Sequence, residues 1–185
     1  MDIKTQKTRA RLQAKQRRAE ADNALGAVQL LEHVPADVFK GRLIGGYWPL
    51  TGELDIRALL QACHAQGHDL ALPCTPRKGK PLTFRRWMPG DALKAGPYAT
   101  REPFPDKDEA QPNLVLVPLL AFTAHGERLG YGGGFYDRTL AKLKDEGEVF
   151  ACGIAYAAQE AATLPTDEFD QRLDGILTDQ YFKAF

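Results

Sequence analysis

The chain has 185 residues, 44% of them hydrophobic and 26% charged, which is an ordinary composition for one soluble domain with a substantial core. Lys and Arg (24) balance Asp and Glu (24), so nothing global argues for a nucleic acid or an anionic membrane as partner. No window offers the roughly 18 continuous apolar residues of a spanning helix, and the N-terminus lacks the apolar core of a signal peptide; a cytoplasmic location is expected. Cys63, Cys74 and Cys152 are scattered and lack Cys-x-x-Cys or His spacing, so they read as free thiols and not as a disulfide or zinc set.

Charge is uneven along the chain. Lys4, Lys7, Arg9, Arg11, Lys15, Arg17 and Arg18 stand against Asp2 alone within residues 1–18. With no Gly or Pro before Gly26, and with Leu12, Leu25, Val28 and Leu31 marking an apolar stripe, the spacing predicts a basic helix running into an amphipathic one. Taken alone this is a solvated charged face, with a nucleic-acid arm as the weaker alternative.

Residues 42–48 read as the first strand of a sheet and end in a loop that carries Glu53. Ile56, Leu59, Leu60 and Cys63 share one helical face, the helix stops near Gly67, and 69–73 forms a second strand: a parallel crossover, right-handed by default. Glu53 therefore falls at the sheet edge where ligands of open α/β folds collect, although a loop glutamate is by default only solvated. Residues 75–110 turn polar and rich in Pro and Gly, with one strand at 82–87; Trp87, Tyr98 and Phe104 offer flat apolar walls there. The apolar run 114–120 reads as a strand buried on both faces, and further strands are expected at 149–154 and 175–178.

Between the strand at 114–120 and a helix at 135–146 lies Arg128-Leu129-Gly130-Tyr131-Gly132-Gly133-Gly134-Phe135-Tyr136-Asp137-Arg138. A strand, a glycine loop and a helix leave backbone N–H groups converging above the helix N-terminus, a position that suits phosphate. The glycines admit positive φ and a close approach to the main chain, and Arg128 and Arg138 supply forked donors. No glycine here is followed by Lys and then Ser or Thr, and Phe135 stands where a dinucleotide fingerprint needs its third glycine, so both familiar phosphate loops are excluded. Asp137 beside a polyphosphate calls for an intervening cation, most simply Mg²⁺; its plain reading is a helix-start acid facing the dipole.

That stretch resembles the signature of the 5-formyltetrahydrofolate cyclo-ligase (5,10-methenyltetrahydrofolate synthetase) family. The resemblance implies a single cyclo-ligase domain over 1–185 with a three-layer α/β/α fold, a mostly parallel open sheet, and kinship in fold to ribose-5-phosphate isomerase and the CoA transferases. It implies ATP- and Mg²⁺-dependent cyclisation of 5-formyltetrahydrofolate, with ADP and phosphate released. Lys7 and Arg11 then match the N-terminal ATP cations, one helical turn apart. Arg128, Leu129, Gly130, Tyr131, Gly132, Gly133, Gly134, Phe135 and Tyr136 line the nucleotide, with Arg128 and Tyr136 acting in catalysis. Trp48 and Glu53, with Tyr131, Gly132, Gly133, Gly134 and Phe135, contact the folate, and Asp137 with Asp174 holds Mg²⁺. Some members carry a lysine where this chain has Gly133. The implied partners are small molecules, with no nucleic acid or membrane and with a monomer favoured. Two other readings remain open: a sugar-phosphate isomerase or CoA transferase using the same loop without ATP, and an RNA-binding module led by residues 1–18.

Overall fold

The computed structural model describes residues 2–21 and 25–185. The first helix, α1 (Ile3–Ala21), is followed by α2 (Gly26–Glu32) and α3 (Ala36–Phe39); the passage expected to join the first two helices lies partly outside the described residues. Strand β1 (Ile44–Gly45), α4 (Arg57–Ala65) and β2 (Leu70–Cys74) form the expected parallel crossover, with Ile44 opposite Leu70. Then come β3 (Thr83–Arg86), β4 (Lys94–Ala95), β5 (Arg101–Glu102), β6 (Glu109–Ala110) and β7 (Leu114–Pro118). The chain closes with β8 (Ala121–Phe122), β9 (Arg128–Leu129), α5 (Phe135–Glu146), β10 (Phe150–Ala155), β11 (Gly175–Thr178) and β12 (Phe182–Ala184).

Among the described residues the main sheet has the order β12-β11-β10-β7-β1-β2-β3-β6. Its middle, β11-β10-β7-β1-β2, is parallel, and β12, β3 and β6 run antiparallel at the margins. Alternating side chains of the central strands point to opposite faces, and each face is covered. On one side Ile44, Leu114 and Leu116 pack against Leu59, Leu60 and Cys63 of α4 and Leu30 of α2. On the other, Val115, Val117 and Ala151 pack against Leu140 and Leu143 of α5. This is the expected α/β architecture, a mostly parallel sheet between helical layers.

Three expectations need correction. The first strand is shorter than 42–48, because the chain leaves the ladder after Gly45 and the Tyr47 hydroxyl turns to donate to the Leu54 carbonyl oxygen (3.1 Å), fixing the loop that holds Glu53. The strand at 114–120 does not lead straight into the glycine loop: after Pro118 a hairpin, β8 with β9, intervenes and puts Arg128 on a strand. Residues 75–110 contain four short strands where one was expected, and β12 adds an edge strand that sequence reading left out.

Helix α1 lies over the β8–β9 hairpin through Ala10 and Ala14, which meet Leu120, Ala121 and Leu129. Its inward stripe is not apolar. Lys7, Arg11, Ala14 and Arg18 fall at i, i+4, i+7 and i+11, one face of a helix, and the three cations on that face all reach protein partners. Arg17 adds a hydrogen bond to the Glu160 carbonyl oxygen (3.0 Å).

Candidate active site

The sheet delivers the site at the carboxyl ends of its parallel strands, where β1 gives way to the Glu53 loop and α5 begins. Gly134 caps α5 in the left-handed region (φ 65°, ψ 16°), and no side chain among the described residues caps the helix. Ahead of it Gly132 has φ 98°, a conformation that favours glycine, and a Cβ there would stand 3.1 Å from the Arg11 guanidinium carbon and crowd it. Loop carbonyls are engaged by cations: Arg11 Nε donates to Gly130 O (3.0 Å), and Arg138 Nη2 donates to Gly133 O (2.7 Å). Among the described residues, no turn or loop hydrogen bond is donated by the amides of 130–137. An uncapped helix start with its amides directed outward is an anion-binding surface.

Arg128 sits beneath this surface with its side chain 4% exposed, and its Nη2 donates to Asp137 Oδ1 at 2.5 Å. The same oxygen accepts from the Gln171 backbone N–H (3.0 Å). Arg128 Nε is buried without a hydrogen-bond partner among the described residues. A buried guanidinium with one donor unsatisfied, beside a row of outward amides, suits an anion that completes its hydrogen bonding. Arg128 is also the cation that Asp137 requires beside a polyphosphate, so repulsion alone does not demand a metal.

The residue of the loop before β11 that meets Asp137 is Gln171, while the Asp174 carboxylate is engaged at the start of β10. Asp174 immediately precedes β11, at the amino end of that strand, and its Oδ2 accepts from the Ala151 N–H (2.8 Å) at the start of β10. Among the described residues no group of three or more His, Cys, Asp or Glu side chains is arranged to hold a metal ion. Asp137, whose hydrogen bonds among the described residues fall on Oδ1, fits a Mg²⁺ ion held through its other carboxylate oxygen with phosphate and water completing the shell.

Lys7 and Arg11 do face the same way, but they part company at their tips. Arg11 reaches the glycine loop, whereas Lys7 Nζ is paired with Asp167 (2.7 Å) and Asp170 (2.6 Å) in the loop before β11. Burial pulls the Lys7 ammonium down, and its two carboxylate partners more than offset this, so it stands above its ordinary value. The Lys7 hydrogen bond in turn holds the Asp167 carboxyl low.

On the folate side of the expectation, Glu53 is 9% exposed. Its Oε2 accepts from the Leu50 N–H (2.8 Å) and its Oε1 from the Tyr131 hydroxyl (2.6 Å), which itself accepts from Arg18. Burial pushes the Glu53 carboxyl up, opposed by the hydrogen bonds from Tyr131 and Leu50 and by the Arg18 charge. Burial and then the Glu53 charge push the Tyr131 and Tyr136 hydroxyls above their ordinary range, so both are neutral donors near pH 7. Trp48 meets Trp87 edge to face at 6.2 Å between centroids, and the Arg57 guanidinium lies 5.6 Å from the Trp48 ring centroid. Phe135 sits between Tyr98 (5.9 Å between centroids) and the Arg138 guanidinium (5.5 Å). Leu129 is buried under α1. Glu102 acts as a tie: its Oε1 accepts from the Thr75 N–H (2.9 Å) and the Thr100 hydroxyl (3.0 Å) and anchors the 75–110 excursion to the end of β2.

Sequence reading passed over Arg18, which it grouped with a solvated run; its spacing of eleven residues from Lys7, on the same helical face, was the available signal. A cleft of about 690 Å³, lined by Lys40, Arg42, His68, Asp69, Arg86 and Asn113 among others, opens at the opposite, amino edge of the sheet. Its Arg86 and Asp69 pair with each other (2.8 Å), and it carries none of the convergent groups described above.

Fold and site together define an α/β protein with a glycine loop and a buried arginine in an arrangement that suits an anion, with a carboxylate and aromatic rings close by. Comparison with known proteins narrows the class: residues 2–179 match the 5-formyltetrahydrofolate cyclo-ligase family, and the chain belongs to that family. It is 33% identical over 177 residues to the Haemophilus influenzae protein named 5-formyltetrahydrofolate cyclo-ligase, covering 92% of this chain and 91% of that one. The Escherichia coli K12 protein of the same name is 29% identical over 157 residues, covering 82% and 85%. Among solved structures, an Aquifex aeolicus 5,10-methenyltetrahydrofolate synthetase shares the fold with a TM-score of 0.75 at 24% identity, over 96% of this chain and 92% of that one. Among the described residues no helix is long and apolar enough to cross a membrane.

Proposed function

We propose that this chain cyclises 5-formyltetrahydrofolate to 5,10-methenyltetrahydrofolate at the expense of ATP, releasing ADP and phosphate. The observation that carries the reading is the uncapped start of α5 over the Arg128–Asp137 pair, an arrangement that suits phosphate, with Glu53 and Trp48 on the neighbouring loop. Family membership supports 5-formyltetrahydrofolate as the substrate.

The formyl oxygen is a poor leaving group, so the γ-phosphoryl group is transferred to it first; nitrogen 10 of the folate then attacks the activated carbon, and phosphate departs. Such a transfer depends on positioning and charge neutralisation more than on a protein nucleophile. In this chain the amides of Gly130, Tyr131, Gly132, Gly133 and Gly134 cradle the phosphates, Arg128 and Arg11 meet their charge, and Lys7 joins them on leaving Asp167 and Asp170. Asp137 would hold Mg²⁺, which supplies further charge neutralisation at the phosphates when bound. Tyr136, a neutral donor, and Phe135 border both substrates, while Glu53 and Trp48 orient the pterin.

The test is absorbance at the methenylfolate band after mixing the chain with 5-formyltetrahydrofolate, Mg²⁺ and ATP, with ADP measured in parallel. The expected result is one ADP for each methenylfolate formed. ATP turnover that is independent of folate, or no methenylfolate from material that a known cyclo-ligase converts, would refute the reading.

A further inference from the structure

The basic helix α1 does more than bring cations to the glycine loop. Arg18, near its end, is 8% exposed, which for a guanidinium requires specific partners. Its Nη1 donates to the Tyr131 hydroxyl, and its guanidinium carbon lies 5.5 Å from the centroid of the same ring, so both the polar tip and the face of Tyr131 are held by one residue. A phenol has a single proton. With Arg18 occupying the oxygen as a donor, that proton is directed to the remaining acceptor, Glu53 Oε1, at 2.6 Å. The Leu50 N–H fixes the other carboxylate oxygen.

We infer that Arg18 is a positioning residue for the folate carboxylate contact, acting through the Tyr131 hydroxyl on Glu53. The inference rests on the proposed reaction insofar as Glu53 meets folate. The route has a direction: an arginine on α1 orients a tyrosine of the glycine loop, and the tyrosine orients a glutamate on the loop after β1. A carboxylate pinned in this way keeps lone pairs in fixed directions for the N–H groups of a pterin edge. Arg18 would thus tie folate binding to the seating of α1, the helix that also carries Arg11 and Lys7. The charged and titratable groups facing Glu53 are Arg18 from α1, Tyr131 from the glycine loop, Tyr47 from the segment after β1 and Tyr136 from α5. Arg18 is the cation among them, so its removal moves Glu53 ionisation to higher pH.

The experiment uses the full chain and four variants: Arg18→Met, Arg18→Lys, Tyr131→Phe and the double variant Arg18→Met with Tyr131→Phe. Affinity for 5-formyltetrahydrofolate without ATP is read from quenching of Trp48 and Trp87 fluorescence. Steady-state KM for each substrate, the pH profile of kcat/KM for folate and the melting temperature are measured alongside. Arg18→Met should weaken folate binding by about tenfold or more while changing the KM for ATP by less than about threefold. The acid limb of the profile should move to higher pH, and Arg18→Lys, which keeps the charge but not the planar fork, should recover part of the loss. In the Tyr131→Phe background, Arg18→Met should have little further effect on folate affinity. Equal losses for both substrates with a lowered melting temperature, or additive effects of the two substitutions, would reduce Arg18 to an anchor of α1 and overturn the inference. Wild-type protein that binds no folate would overturn the proposed reaction as well; folate binding unchanged in Arg18→Met would overturn this inference alone.

Discussion

Replacing Asp137 separates its structural work from its chemical work. The Arg128 side chain is 4% exposed, its Nε lacks a partner among the described residues, and Asp137 Oδ1 at 2.5 Å is its ion-pair partner. Alanine at 137 leaves that guanidinium buried and uncompensated, a change that costs on the order of 3–5 kcal/mol when both partners are fully enclosed. The Asp137 side chain is 22% exposed, so water can enter the gap and the lower end, about 3 kcal/mol, is expected. Asparagine keeps an acceptor for Arg128 and for the Gln171 N–H, and its cost falls to about 1 kcal/mol, the exchange of a charged for a neutral hydrogen bond. At about 2–4 °C per kcal/mol for a chain of this size, the melting temperature should drop by roughly 6–12 °C for Asp137→Ala and roughly 2–4 °C for Asp137→Asn. Calorimetry or thermal circular dichroism gives the shifts, and the methenylfolate assay run below both transitions gives the activity, which should be lost in both variants. Equal melting temperatures for the two variants would refute the energetic argument. An active Asp137→Asn would remove Asp137 from the metal role.

Three further outcomes are expected. Thr139, 2% exposed, accepts from the Leu82 N–H (2.8 Å) and donates to Phe135 O (2.7 Å), so Thr139→Val strands a buried amide and should cost about 1–3 kcal/mol in a denaturant titration; a neutral result would mean that Leu82 finds another acceptor. Gly134→Ala meets the left-handed penalty of about 1–2 kcal/mol and sets a Cβ 2.6 Å from Arg138 Nη1; it should lower stability and ATP affinity, Gly134→Asn should be milder, and equal effects would show that φ is not the cause. The Glu53 carboxyl, raised mainly by burial, contributes stability that is fully present below its unfolded pKa and lost as pH rises through its folded pKa. The melting temperature of Glu53→Gln relative to wild type should therefore improve from pH 4 to pH 7.5, and a difference that is flat or falls with pH would contradict the assignment.

The most legible parts of the sequence were those in which local chemistry and period agree. Glycines before Phe135 and the spacing of Tyr136, Leu140 and Leu143 located α5 at its observed limits, Phe135–Glu146, and the short run before Thr178 located β11. The β8–β9 hairpin was hidden because Leu119, Leu120, Ala121 and Phe122 prolong the apolar run of β7, and a continuous run carries no period to betray a change of direction. Helix α1 was read as a helix but not as a docked one. Docking is ordinarily recognised by an apolar stripe, and here the inward stripe is Lys7, Arg11, Ala14 and Arg18, held by hydrogen bonds to partners more than a hundred residues away. The same long separations explain why the Arg128–Asp137 pair, nine residues apart, was within reach of sequence reasoning as a set of neighbours, whereas the Arg18–Tyr131–Glu53 route was not.

The most direct measurement of the proposed chemistry follows the formyl oxygen. With ¹⁸O in the formyl group of 5-formyltetrahydrofolate, a single turnover with ATP should deliver the label to the released phosphate, because the oxygen leaves the carbon as part of the phosphoryl group it received. Unlabelled phosphate, with the ¹⁸O found in water, would mean that the oxygen departs without being phosphorylated, and the account of the glycine loop as the place that aligns γ-phosphate with the formyl group would be wrong.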